Sequence, residues 1–214
     1  MADLEDTKPL RDLSEAFKEL AATVDSPTAD VELAQFARAS SLILPLIRSL
    51  GIAFKFAELS YASTVNDLVK ASKSIGTLQA LVDGEIEANT ARKDTSNTRN
   101  LLRVKRGLEV VRAMCEQTLA TDANSLRDPA TKAYTQVFAS FHGMAVKKAV
   151  AAGLYAMPTR AQMLKKLNED EYSSAAAHMQ SYVATSATVI QYIGRLFHSR
   201  DLSNVIGYMP DREL

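Results

Sequence analysis

The stretch Thr98-Arg99-Asn100-Leu101-Leu102-Arg103-Val104-Lys105-Arg106-Gly107-Leu108 decides the fold. Continued to Leu119, it reads as one amphipathic helix. Leu101, Val104, Leu108, Val111 and Cys115 recur at spacings of three and four and share a face. Arg99, Arg103 and Arg106 fall on another. Glu109 and Glu116 lie within helical reach of Arg106 and Arg112, but no acidic residue stands three or four positions from Arg99 or Arg103. Cations one turn apart repel. Thr98 is the expected N-cap, which puts both arginines near the positive end of the helix dipole. Two readings follow. Either this is a solvated basic face whose counter-charge stands on another helix, or the arginines await an external anion. Phosphate suits the arginine fork.

Working outward, the composition excludes several classes. Hydrophobic residues make up 47% of the 214 and charged residues 23%, ordinary values for a globular chain. Lys+Arg and Asp+Glu both total 25, so no global field favours nucleic acid and any anion site must be local. The single cysteine, Cys115, rules out an internal disulfide and a cysteine-built zinc site. Histidines occur only at 142, 178 and 198, far apart, and no HExxH, P-loop or GxSxG motif is present. Neither catalysis, a metal nor a cofactor has support. His178 and His198 read as surface or rim residues; His142 precedes a glycine at an expected helix start, and capping or packing is its default role. The acidic opening Met1 to Asp6 is unlike a signal peptide, and no apolar run reaches transmembrane length. A protein of the reducing cytosol is expected.

Helical periodicity runs through almost the whole chain. Pro9 opens a helix carrying Leu10, Leu13, Phe17, Leu20 and Val24, broken at Asp25-Ser26-Pro27-Thr28. A second begins near Asp30 and ends or kinks at Pro45. Leu46 to Leu59 is apolar and interrupted by Gly51; a further helix is expected from Ser60 to Val82, then a polar loop from Asp83 to Asn97. After the central helix, Asp128-Pro129 starts a short helix. Phe141-His142-Gly143-Met144 opens another, running to Met157, and Thr159 caps a brief one. A long helix from Glu169 to Ser199 completes one all-helical domain, 1–214, with flexible tails expected at 1–7 and 201–214.

The run Leu101 to Leu108, with Arg99 ahead and His142-Gly143 about forty residues on, resembles the glycolipid transfer protein family, closest to its plant accelerated-cell-death branch. Lys8-Pro9-Leu10-Arg11, Gly51-Ile52-Ala53-Phe54-Lys55-Phe56-Ala57-Glu58, Asp128-Pro129-Ala130-Thr131-Lys132 and His178-Met179-Gln180-Ser181-Tyr182-Val183 extend the likeness over most of the chain. The resemblance implies a two-layer, all-α sandwich of about eight helices. It would enclose an apolar pocket for lipid chains, with a headgroup site at its mouth. Sugar-binding members place a tryptophan where Arg103 stands, and this chain has no Trp, so a phosphate headgroup is implied. Ceramide-1-phosphate is the implied ligand. Arg99 and Arg103 match the family's phosphate-binding arginines, and His142 its histidine for the lipid amide carbonyl.

One departure stands out. The family's aspartate and, four residues on, its lysine or asparagine align with Ser60 and Thr64. The uncharged replacements imply weaker transfer, or hydroxyls serving a different lipid. Expected pocket residues are Leu101, Val104, Leu108, Val111, Phe138, Val146 and Val150, although ordinary helix-core packing predicts the same pattern. The resemblance implies transient peripheral membrane contact and no nucleic acid. The alternative is a regulatory interaction protein that keeps the fold but moves no lipid; a collapsed pocket would favour it, an open one transfer.

Overall fold

The computed structural model describes residues 7–24 and 30–202. The helices are α1 (Pro9–Thr23), α2 (Leu33–Ser41), α3 (Leu44–Ser49), α4 (Lys55–Ala71), α5 (Leu78–Glu87), α6 (Asn97–Leu119), α7 (Arg127–Val137), α8 (Met144–Tyr155), α9 (Arg160–Lys166) and α10 (Tyr172–His198), with a 3-10 turn at Ile52–Phe54. Ten α-helices among the described residues exceed the expected eight because two expected segments are divided. Pro45 sits in the first turn of α3 rather than at the end of α2. Gly51 then adopts φ +98°, a left-handed conformation open to glycine, and separates α3 from the 3-10 turn.

The helix expected over Ser60–Val82 starts earlier, at Lys55, and is split. A tertiary contact causes the split. The backbone of Val31–Leu33 pairs with Gly76–Leu78, Leu33 N–H donating to the Gly76 carbonyl and Leu78 N–H to that of Val31, both at 2.9 Å. Thr77 is thereby extended and caps α5 through its hydroxyl, which accepts from Ala80 N–H. The loop expected at Asp83–Asn97 is accordingly helical as far as Glu87, and Asn89 turns the chain at φ +55°. The break expected at Asp25–Thr28 and most of both expected tails lie outside the described residues.

The helices form a two-layer all-α sandwich with α6 at its centre, packed against α4, α5, α7 and α10. Helix α10 lies along α1, and α4 along α2 and α3. A β-carbon built on Gly107 would stand 2.3 Å from Cε2 of Tyr61, so only glycine lets α4 approach α6 this closely. The Tyr61 ring is pinned in turn by its hydroxyl, which donates to the Ser40 carbonyl at 3.1 Å. Burial pushes that phenol far above its ordinary range. The start of α6 is capped by Ser96, not Thr98: the Ser96 hydroxyl accepts from Arg99 N–H. Thr98 is bound sideways to α5, where the Glu85 carboxylate accepts from the backbone N–H of Asn97 and Thr98 at 2.8 Å and from the Thr98 hydroxyl at 2.6 Å.

Candidate functional site

Between α4, α6, α7 and α8 lies a cavity of about 350 Å³ with an almost wholly apolar lining. Leu10, Leu46, Met163, Leu167 and Met179, from α1, α3, α9, the turn after it and α10, complete the wall. Its polar lining side chains come from several elements. Ser60 and Thr64 come from α4, Arg103 and Arg106 from α6, and His142 from the turn between α7 and α8. The Gly107–Tyr61 contact brings the arginine turn of α6 against the Ser60–Thr64 turn of α4. His142 is thus gathered to Arg103 from thirty-nine residues away in sequence.

Four of the seven expected pocket residues, Val111, Phe138, Val146 and Val150, line this cavity. Leu101, Val104 and Leu108 do not; they are sealed in the core, where the Tyr182 hydroxyl of α10 donates to the Leu108 carbonyl. The cavity lies instead along the arginine face of α6 and the C-terminal end of the leucine face, where Val111 and Cys115 line it. Arg103, Gly107, Val110, Met114 and Thr118 line it at three- and four-residue steps. A cationic stripe that turns apolar along its own face was the signal for Val110 and Met114, and reading only the leucine face missed both.

The basic face is not solvated. Arg99 and Arg106 are 8% and 2% exposed. Arg99, outside the cavity lining, has its guanidinium 3.7 Å from the Asp94 carboxylate, so a counter-charge stands in the loop ahead of the helix. Arg103, half-buried, donates to the Asp94 carbonyl at 3.1 Å and to Asn100 Oδ1 at 3.0 Å. The Arg106 guanidinium lies 3.9 Å over the Phe141 ring. Desolvation lowers its pKa, the nearby Glu109 raises it, and the group is still a cation. Glu109 is also paired with Lys105, while Arg112 and Glu116 pair as expected at 2.7 Å.

His142 is held by aromatic neighbours that sequence reasoning did not assign. The Tyr134 hydroxyl is 3.0 Å from its Nδ1, and the Phe138 ring stacks on the imidazole at 5.3 Å and 8°. Gly143 follows as the N-cap of α8. Thr64, 8% exposed, gives its hydroxyl proton to the Ser60 carbonyl at 3.0 Å, leaving the oxygen lone pairs to accept. Cys115 also lines the cavity, but burial pushes its thiol up to about 12 and it is inert at neutral pH. His178, hydrogen-bonded to Ser14, and His198 are not cavity residues. Among the described residues no cluster of three or more metal-ligating side chains occurs, and no helix is long and apolar enough to cross a membrane.

The geometry therefore offers an apolar chamber with two arginines in its wall. The family model of the glycolipid transfer protein matches residues 31–169, from the start of α2 past the end of α9. Accelerated cell death 11 of Arabidopsis thaliana is 56% identical over 94% of this chain and 98% of its own length. Crystal structures of two Arabidopsis ACD11 variants, each complexed with C12 ceramide-1-phosphate, superpose on this fold. An aspartate-to-asparagine variant gives a TM-score of 0.92 at 54% identity, covering 95% of this chain and 100% of that one. An aspartate-to-alanine variant gives 0.89 at 56% identity, covering 91% and 98%. With most of the cavity lining inside the matched segment and a relative aligned nearly end to end, the chain belongs to the glycolipid transfer protein family.

Proposed function

We propose that this chain binds a sphingolipid of the ceramide-1-phosphate type and carries it between membranes. The observation that carries this reading is the open apolar cavity with Arg103, Arg106 and His142 in its wall, in a chain without tryptophan to stack on a sugar. Exposing a chain of roughly 16 carbons to water costs about 13 kcal/mol at ~0.8 kcal/mol per methylene. The cavity offsets that cost, and the charged corner selects the headgroup. Arg103, supported by Arg99 one turn away, takes the phosphate. His142 meets the amide carbonyl, and the Ser60 and Thr64 hydroxyls flank the sphingoid base. The absence of Leu101, Val104 and Leu108 from the cavity lining supports a lipid-contacting set without them. The ACD11 variants support retention of the lipid without a carboxylate, because each lacks an aspartate yet was crystallised with ceramide-1-phosphate.

An open cavity favours transfer over the regulatory alternative. We also infer that the chain acts as one domain in the cytosol, catalyses no reaction and touches membranes transiently. Ile52, Phe56 and Leu59 are 87%, 51% and 57% exposed on the 3-10 turn and the first turns of α4, and Phe56 also lines the cavity. That places apolar surface beside the lipid's route.

The test is vesicle-to-vesicle transfer of labelled ceramide-1-phosphate. Arg103→Glu should abolish transfer while thermal unfolding moves by only a few degrees, since the side chain is half-buried and holds two hydrogen bonds. Undiminished transfer by this variant would remove the phosphate role from Arg103.

A further inference from the structure

We infer that Tyr134 is a positioning residue that sets the tautomer of His142, keeping the imidazole proton on Nε2 so that the ring donates to the lipid. This rests on the reading above that His142 meets an amide carbonyl.

A neutral imidazole has one donor and one acceptor nitrogen, and only the donor can serve a carbonyl. The Tyr134 hydroxyl stands 3.0 Å from Nδ1, and Nδ1 is its hydrogen-bond partner among the described residues. Two arrangements fit that distance. In one, the phenol donates to the Nδ1 lone pair and Nε2 carries the ring proton. In the other, Nδ1–H donates to the phenol oxygen, the phenol proton finds no acceptor among the described residues, and Nε2 presents a lone pair to the carbonyl oxygen. Leaving a part-buried hydroxyl proton unmatched is costly, so the first arrangement holds. Desolvation raises the Tyr134 pKa, which keeps the phenol protonated and able to donate.

The surroundings fix the ring as well as its proton. Phe138 stacks on the imidazole within 8° of parallel, defining its plane, while the Tyr134 bond fixes its rotation within that plane. Tyr134, Phe138 and His142 all line the cavity. Tyr134 and Phe138 are one helical turn apart, and the His142 backbone N–H donates to the Phe138 carbonyl at 3.2 Å, so the end of α7 builds the device as a unit. The lipid-contacting histidine therefore has a partner on α7 that specifies which of its nitrogens donates.

The experiment is nitrogen NMR of the His142 side chain in lipid-free protein at about pH 8, where imidazole is ordinarily neutral. Nδ1 should resonate as the unprotonated nitrogen and Nε2 as the protonated one. Nδ1–H in the wild type overturns the inference without any variant. Tyr134→Phe keeps the ring and removes the hydroxyl; the tautomers should then mix, and ceramide-1-phosphate affinity should fall about tenfold, equivalent to about 1.4 kcal/mol. An unchanged Nε2–H signal in Tyr134→Phe also overturns the inference. In a His142→Ala background, Tyr134→Phe should have no further effect on affinity, whereas a purely structural tyrosine would cost the same in both. A tautomer that shifts while affinity stays constant would uphold Tyr134's role and instead remove the carbonyl contact from the proposed function.

Discussion

At the scale of single residues, Ser60 and Thr64 line the cavity where the family resemblance implies an aspartate and a lysine or asparagine. Both side chains are neutral hydroxyls and bring no charge to the cavity, and Thr64 gives its proton to the Ser60 carbonyl. A hydrogen bond to a charged group contributes about 1.5–3 kcal/mol against about 1 for a neutral one. Ser60→Asp with Thr64→Lys would restore a carboxylate and an ammonium one turn apart, able to support each other. The double variant should bind ceramide-1-phosphate roughly tenfold or more tighter than the native chain, at about 1.4 kcal/mol per decade. Ser60→Asp alone should gain less, because its charge lacks the neighbour. Equilibrium binding of a fluorescent ceramide-1-phosphate decides it; equal affinity in all three proteins would show that the hydroxyls suffice. The same residue scale explains why Leu101, Val104 and Leu108, expected in the pocket, are absent from the cavity lining. Apolar spacing identifies a buried face, but burial against a neighbouring helix and burial against a cavity leave the same mark in sequence.

At the scale of elements, the site depends on how α6 begins. Two arginines near the positive end of a helix would repel both the dipole and each other. The fold answers with carboxylates from outside the helix: Asp94 beside Arg99, and Glu85 of α5 across the first N–H groups. Glu85→Ala would strand the buried Thr98 hydroxyl and two backbone donors, costing about 1–3 kcal/mol. At ~2–4 °C per kcal/mol for a chain of this size, Tm should fall by roughly 2–12 °C. Circular dichroism melts measure this, and a shift below a degree would show that the Glu85 cap does not support α6. No helical spacing within α6 foretells Glu85, because its carboxylate arrives from an element read in sequence as a loop. The start of α5, at Leu78 inside the expected Ser60–Val82 helix, was set by the pairing of Val31–Leu33 with Gly76–Leu78, a contact between segments about forty-five residues apart.

At the scale of the whole molecule, the exposed apolar residues beside the cavity bear on delivery. Burying one Ile side chain in a bilayer contributes about 1.5–3 kcal/mol. Ile52→Asn should therefore lower partitioning onto vesicles about tenfold. At 87% exposure it should leave Tm within about a degree, because surface changes stay within ~0.5 kcal/mol. Vesicle sedimentation alongside a melt separates the two effects; unchanged partitioning would place the docking face elsewhere.

The sequence alone determined the helical class and the centrality of α6, because periodicity and motif spacing are one-dimensional properties, while the family resemblance pointed to Arg103, His142, Ser60 and Thr64, all four of which line the cavity. Tertiary structure decided the rest. It selected which face of α6 meets the cavity, since that depends on where α4, α7 and α8 leave space unfilled. It placed Glu85 and Asp94 against the start of α6 and Tyr134 against His142. It also drove Gly107 onto Tyr61, a contact that no pattern within either helix announces. Such pairings arise only when separate elements pack, because the free energy of a buried charge or a close approach is set by what the other element presents.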